Sequence, residues 1–356
     1  MTADLQTKHL KDYRPPGHLI DSITLHVELA PENTRVRARL QVRDNPAASE
    51  PPGCLYLHGR KLGLLHVLLD GRELGGHEYA LDDEGMTIAD PPASFVLETL
   101  VEINPQANTA LEGLYRASDI YCTQCEAEGF RKITFFPDRP DVMTRFTTTL
   151  VGDVDNTPIL LANGNLIDSG ELEGRRHFAT FEDPFPKPSY LFALVAGRLT
   201  MIEDRFVTMS GREVSLQIYV EERNRHKCAH AMLSLKNAMR WDEQTYGLEY
   251  DLDEYKIVAV DDFNMGAMEN KGLNVFNSKY VLARPETATD ADYQGIEAVI
   301  AHEYFHNWTG NRVTCRDWFQ PVSYTHLTLP TTGSWGCDVG GGGELVGGGG
   351  GGGGGG

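Results

Sequence analysis

Apolar and polar positions alternate through the first half of the chain. Ser22-Ile23-Thr24-Leu25-His26-Val27-Glu28-Leu29 and Val36-Arg37-Ala38-Arg39-Leu40-Gln41-Val42 each place every second residue on one face, the pattern of a half-buried strand. Asp70-Gly71, Pro91-Pro92 and Asn163-Gly164 punctuate this region as turns. Helical periodicity is nearly absent between Ser22 and Ala196, so the region predicts an all-β sheet or sandwich domain. Its end is expected near Gly197 to Thr200, after the proline-rich Asp183-Pro184-Phe185-Pro186-Lys187-Pro188.

The pattern then becomes mixed. Val214 to Val220, Tyr255 to Val260 and Leu273 to Phe276 read as strands. A helix is predicted from about Asn224 to Tyr246, with Met232, Leu235, Met239 and Tyr246 as its apolar stripe and Gly247 as its C-terminal cap. A second helix is expected from Asp290, as N-cap, to about Thr309, with Ile296, Val299 and Ile300 on its buried side. After Gln320 the text changes again and ends in nearly pure glycine, which cannot bury enough apolar surface to offset its backbone entropy. Three segments are therefore predicted: 1–198 β-rich, 199–320 α/β, and a disordered, artefactual tail at 321–356.

Composition narrows the function. A formal net charge of -19 disfavours nucleic acid, because nothing would offset phosphate repulsion, yet it suits a ligand carrying a cationic amine. No stretch is apolar enough for a membrane span, and the polar opening residues do not resemble a secretory signal. Cys54, Cys122, Cys125, Cys228, Cys315 and Cys337 show no disulfide framework, which points to a reducing cytoplasm. Cys122-Thr123-Gln124-Cys125 lacks the second pair of a zinc ribbon and the context of a redox helix.

The densest chemistry is His302-Glu303-Tyr304-Phe305-His306 on the second helix. Residues four apart share a helical face, so both imidazoles can ligate one zinc ion while Glu303 faces the metal's water. Zinc lowers that water's pKa towards about 7, and a carboxylate can then accept its proton. So short a pattern also recurs by chance, but on an amphipathic helix two histidines without a ligand would be costly core groups. The second constellation is Gly266-Ala267-Met268-Glu269-Asn270, where Gly266 permits close backbone approach and the extended neighbour can take a peptide as an added strand.

In this order the two patterns resemble the aminopeptidase N family of zinc metallopeptidases (gluzincin type). Tyr121 to Phe130 and His302 to Gln320 are similar to its cytoplasmic bacterial members. The resemblance covers residues 1–320 and implies a multidomain protein in which a β-saddle domain precedes a thermolysin-like catalytic domain. It implies one zinc ion per complete site, with His302 and His306 as ligands and Glu303 as general base. Glu269 and Glu126 would hold the free α-ammonium group of a peptide, Gln124 and Met265 would line the first side-chain pocket, Gly266 and Ala267 would contact the peptide backbone, and Met268 and Asn270 would complete the substrate-binding segment. The third zinc ligand of the family, a glutamate, falls here on Thr325, so the chain is expected to be inactive in this truncated form. Two other readings stand beside this one, a non-catalytic peptide-binding remnant and an epoxide-hydrolysing relative. Ala267 leans towards the peptidase.

Overall fold

The computed structural model describes residues 9–48 and 53–320. Expectations about the tail, Thr325 among them, lie outside the described residues. Among these residues no α-helix precedes Ala229, as the alternating pattern requires. An eight-stranded sheet takes in strands His18–Glu28, Thr34–Asp44, Ser94–Ile103 and Thr144–Asp153. Along Thr34–Asp44 the residues Thr34, Val36, Ala38, Leu40 and Val42 are buried, while Arg35, Arg37 and Arg39 face water. Asp70 and Gly71 both have positive φ and close the hairpin between Gly63–Leu69 and Arg72–Glu73.

A smaller sheet orders strands Ile159–Ala162, Leu194–Gly197, Ile120–Gln124 and Gly113–Ala117. The proline-rich segment that precedes the expected boundary is the end of strand Arg176–Lys187, paired to Thr144–Asp153. Its prolines are tolerated at an irregular register beside a buried Lys187–Asp183 ion pair of 3.0 Å.

A five-stranded sheet follows, in the order Thr200–Val207, Glu213–Val220, Glu254–Val260, Leu273–Asn277 and Ala267–Met268. Its three middle strands are parallel and their residues are almost all buried, as a sheet covered on both faces demands. Helix α1, Ala229–Tyr246, connects the first two of these strands. It starts later than expected, because Glu222–Lys227 offers no apolar stripe and forms a 3-10 turn instead. Met232, Leu235 and Met239 are buried, but Tyr246 is exposed, since the helix unwinds at Gly247 (φ 67°) before another turn brings that face inward.

Helix α2, Asp290–Phe305, packs on α1, with the His230 ring edge-on to Tyr293 at 4.7 Å. Its N-cap is Thr289 rather than Asp290: the Thr289 hydroxyl accepts from the Asp292 amide and the Asp292 carboxylate accepts from Thr289. Ile296, Val299 and Ile300 are fully buried, as expected. The helix ends at Phe305 instead of Thr309, and His306 is its C-cap. No helix among the described residues is long and apolar enough to cross a membrane.

Three apolar cores result. One fills the large sheet, one lies under α1 and α2, and the third joins the four- and five-stranded sheets through Tyr115, Cys122, Leu191, Val258, Met268 and Val275. This third core holds the end of strand Ile120–Gln124 against strand Ala267–Met268. Polar contacts reinforce it: the buried Lys256 ammonium donates to the Gly164 carbonyl at 2.6 Å.

Gly164 supplies a testable feature of this junction. It has φ +88°, and a Cβ there would lie 2.2 Å from the Glu182 carbonyl oxygen. Gly174, at φ +75°, has open space around it. In denaturant titration Gly164→Ala should cost about 2–4 kcal/mol and Gly174→Ala about 1 kcal/mol. Equal losses would show that backbone conformation alone, not the crowded junction, sets the cost.

Candidate active site

Strand Ile120–Gln124 runs straight into the turn that carries Glu126. The turn is fixed from behind by Phe130, whose ring meets Phe136, Phe146 and Phe192 edge-on at 5.2, 5.9 and 5.1 Å. It is fixed in front by Gly129, where any Cβ would stand 2.3 Å from the Gln124 carbonyl. Gln124 is buried, and its amide donates to the Glu126 carbonyl (3.3 Å) and reaches the Met265 sulfur (3.7 Å). These contacts bring together two of the expected pocket residues, one from the four-stranded sheet and one from the loop before Ala267–Met268.

Strand Ala267–Met268 lies at the sheet edge and pairs on one side only, with Val275 and Phe276. Gly266 is half-buried and its carbonyl accepts from the Asn277 amide at 2.9 Å. Met268 is fully buried, its side chain packed into the third core. Asn270 is also fully buried. Its amide donates to the Phe192 carbonyl at 3.3 Å, and its own carbonyl accepts from Asn274 at 3.0 Å. Asp261 and Asp262 are engaged elsewhere: Arg223 pairs with Asp261, and Ser118 and Tyr115 bind Asp262.

Glu126, Glu269 and Glu303 come close enough for their charges to oppose one another. Glu269 and Glu303 are each 1% exposed. Glu126 keeps part of its surface in water, yet its Oε2 is buried, and neither that atom, Glu269 Oε2 nor either Glu303 oxygen has a hydrogen-bond partner. Burial, then repulsion from Glu269, raises the Glu126 carboxyl to about 8. Burial, then Glu269 and Glu126, pushes Glu303 well above the usual carboxylate range. Carboxylates so placed lack a cation, because a buried unpaired charge costs several kcal/mol.

The histidines stand beside them. His302 Nε2 and His306 Nε2 are 3.1 Å apart. The Thr309 carbonyl lies 2.8 Å from His306 Nδ1 and can only accept, so Nδ1 carries the proton and Nε2 presents its lone pair. This contact explains the early end of α2: the chain must leave the helix for Thr309 to face back onto the ring. Burial, then His306, lowers His302 to about 3, keeping it in the neutral form that binds metals. Two imidazole nitrogens on a tetrahedral zinc ion sit about 3.3 Å apart, so the pair fits such an ion. Ligand atoms of His302, Glu303 and His306 lie within 4.8 Å of one another, and this is the one such group of His, Cys, Asp or Glu among the described residues.

Several site residues had no local signal in the sequence. The Asn311 amide donates to the Glu269 carbonyl (2.9 Å), while its backbone N–H donates to the His306 carbonyl (2.9 Å). Lys271 donates to Asp251 (2.5 Å) and Asn307 (2.6 Å), and Asn163 donates to the Lys271 carbonyl (2.8 Å). A separate cleft of about 470 Å³ lies between Tyr13, His58, Arg131 and Trp318, and none of the three carboxylates lines it.

Residues 23–191 match the Peptidase M1 N-terminal domain and residues 230–321 the Peptidase family M1 domain. The chain is 57% identical to aminopeptidase N of Caulobacter vibrioides over 88% of its length, and 53% identical to aminopeptidase N of Escherichia coli over 96%. It spans 36% and 38% of the length of those relatives. A crystal structure of Legionella pneumophila aminopeptidase A in complex with aspartic acid superposes with a TM-score of 0.85 at 37% identity, covering 88% of this chain and 37% of that one.

The raised Glu126 carboxyl makes stability depend on pH. Its folded value, about 8, exceeds the ordinary 4.5, so its contribution is complete below pH 4.5 and is lost as pH rises through about 8. Denaturant titrations of the metal-free chain at several pH values should show that loss, and Glu126→Gln should flatten it. An unchanged slope in the variant would contradict the assignment.

Proposed function

Because the chain belongs to peptidase family M1, we propose that it carries the amine-anchoring and metal-binding part of a zinc aminopeptidase that releases N-terminal residues from peptides. On this reading residues 1–198 form the β-rich domain and 199–320 the catalytic one. The observation that carries it is the set of buried carboxylates without a cation, set beside two imidazoles aimed at one point.

A peptide's free α-ammonium group offers what Glu126 and Glu269 lack. Seated between them it forms charge-assisted hydrogen bonds and relieves their mutual repulsion. An internal peptide bond brings no charge and leaves both carboxylates uncompensated, so the site selects chain ends. The peptide backbone would then run along the unpaired edge beside Gly266 and Ala267–Met268, with Asn270 holding the segment in place. Gln124 and Met265 would face the first side chain.

His302 and His306 are the residues that would hold zinc, which supplies Lewis acidity and a more acidic water. Glu303, with both oxygens free and its proton affinity raised by burial, is suited to accept a proton from water and return it to the departing amine. Aminopeptidases of this kind in a reducing compartment agree with free cysteines at 54, 122, 125, 228 and 315.

Calorimetry at pH 7 with alanine amide and N-acetyl-alanine amide tests the reading. The free amine should bind and the acetylated compound should not. Binding should release a proton, because Glu126 is protonated below about 8 in the metal-free chain and ionises against the ammonium. Two buffers of different ionisation enthalpy measure that release. Equal binding of both compounds, or no proton release, would contradict the assignment.

A further inference from the structure

Glu269 and the histidine pair sit on different elements, a sheet edge and a helix end, and nothing covalent sets the distance between them. Two polar ties do. In the first, Asn311 joins the Glu269 carbonyl to the His306 carbonyl. In the second, Lys271, two residues after Glu269, donates to Asn307, the residue after His306. Lys271 is 1% exposed, and its ammonium lies near the rings of Phe185 and Tyr250, at 5.3 and 5.8 Å from their centroids. Its backbone is pinned from the β-rich side by Asn163, whose own carbonyl oxygen accepts from the Ala193 amide.

A lysine this deep is expensive unless paired. Asp251 accounts for its charge, but Asp251 is also paired with Arg312, so its carboxylate does not depend on Lys271 for a counter-ion. What Lys271 supplies is the bond from the sheet edge to the Asn307 side-chain oxygen, while the Asn307 amide donates separately to Asp251 at 3.3 Å. We propose that Lys271 is a positioning residue, which through Asn307 sets the Glu269 carboxylate at a fixed distance from the His302–His306 pair. This rests on the amine-anchoring reading above. The tie acts between two elements, while both histidines belong to one helix end. Its loss should therefore weaken recognition of the amine and leave metal binding alone.

The test uses the full 356-residue chain with two substitutions, Lys271→Met and Asn307→Leu, each close in volume to the residue replaced. Asn307→Leu cuts the same tie together with the longer Asn307–Asp251 bond and leaves every charged pair intact, so it decides the matter if Lys271→Met does not fold. Each variant should bind alanine amide about 10-fold more weakly, with zinc affinity unchanged. The double variant should lose no more amide affinity than either single, because both remove the Lys271–Asn307 bond. Unchanged amide affinity in the folded variants, additive losses, or a parallel fall in zinc affinity would overturn the proposal. Failure of the unaltered chain to prefer alanine amide over its acetylated form would instead sink the functional reading, and the positioning role with it.

Discussion

Like charges withdrawn from water must be offset or neutralised, and that constraint organises this protein. Glu126, Glu269 and Glu303 share one small region with buried oxygens that bond to nothing. Carboxylates left so exposed to one another would drift apart or reach solvent if their backbones could move. They cannot, because each is set in a segment tied down by hydrogen bonds or helix structure: Glu126 in the turn between Gln124 and Phe130, Glu269 between Asn270 and Asn311, Glu303 in the last turn of a capped helix. Packing holds the charges together, and the deficit that results is what a cationic ligand can fill.

The division of labour follows. The third apolar core brings two sheets from different parts of the chain into contact, which is the only way an acid at position 126 can meet one at 269. Buried lysines then mediate between the layers: Lys256 caps the Gly164 turn, and Lys271 spans from the sheet edge to the helix end. Such pairs are weak sources of stability but strong constraints on geometry, since breaking one leaves a buried charge behind. On the proposed reading, a site holding an ammonium group at a set distance from a metal would benefit more from constraint than from stability.

Much of this was legible in the sequence, for local reasons. The period of two in Thr34–Asp44 and the four-residue spacing of His302 and His306 are properties of strand and helix geometry, and both survive folding unchanged. Helix ends were less legible. Thr289 and Asp290 are both good caps, and a box closed by Asp292 rather than glutamate or glutamine decides between them. The expected run to Thr309 failed because the Thr309 carbonyl is taken by His306, a demand of the site rather than of helix propensity. Asn163 showed only as a turn residue, and Asp251, Lys271, Asn307 and Asn311 gave no local signal of a place in the site. Each reads as an ordinary surface residue, and their partners lie up to 108 positions away. Glu126 would have been equally silent without the family resemblance.

The central claim is that two carboxylates and two imidazoles form one site for an ammonium group and a metal. Crystals of the chain soaked with zinc and alanine amide, measured at the zinc absorption edge, test it most directly. The account predicts an anomalous peak between His302 Nε2 and His306 Nε2, with the amino nitrogen of the ligand between Glu126 and Glu269. A zinc peak elsewhere, or an amino group turned away from both carboxylates, would contradict it.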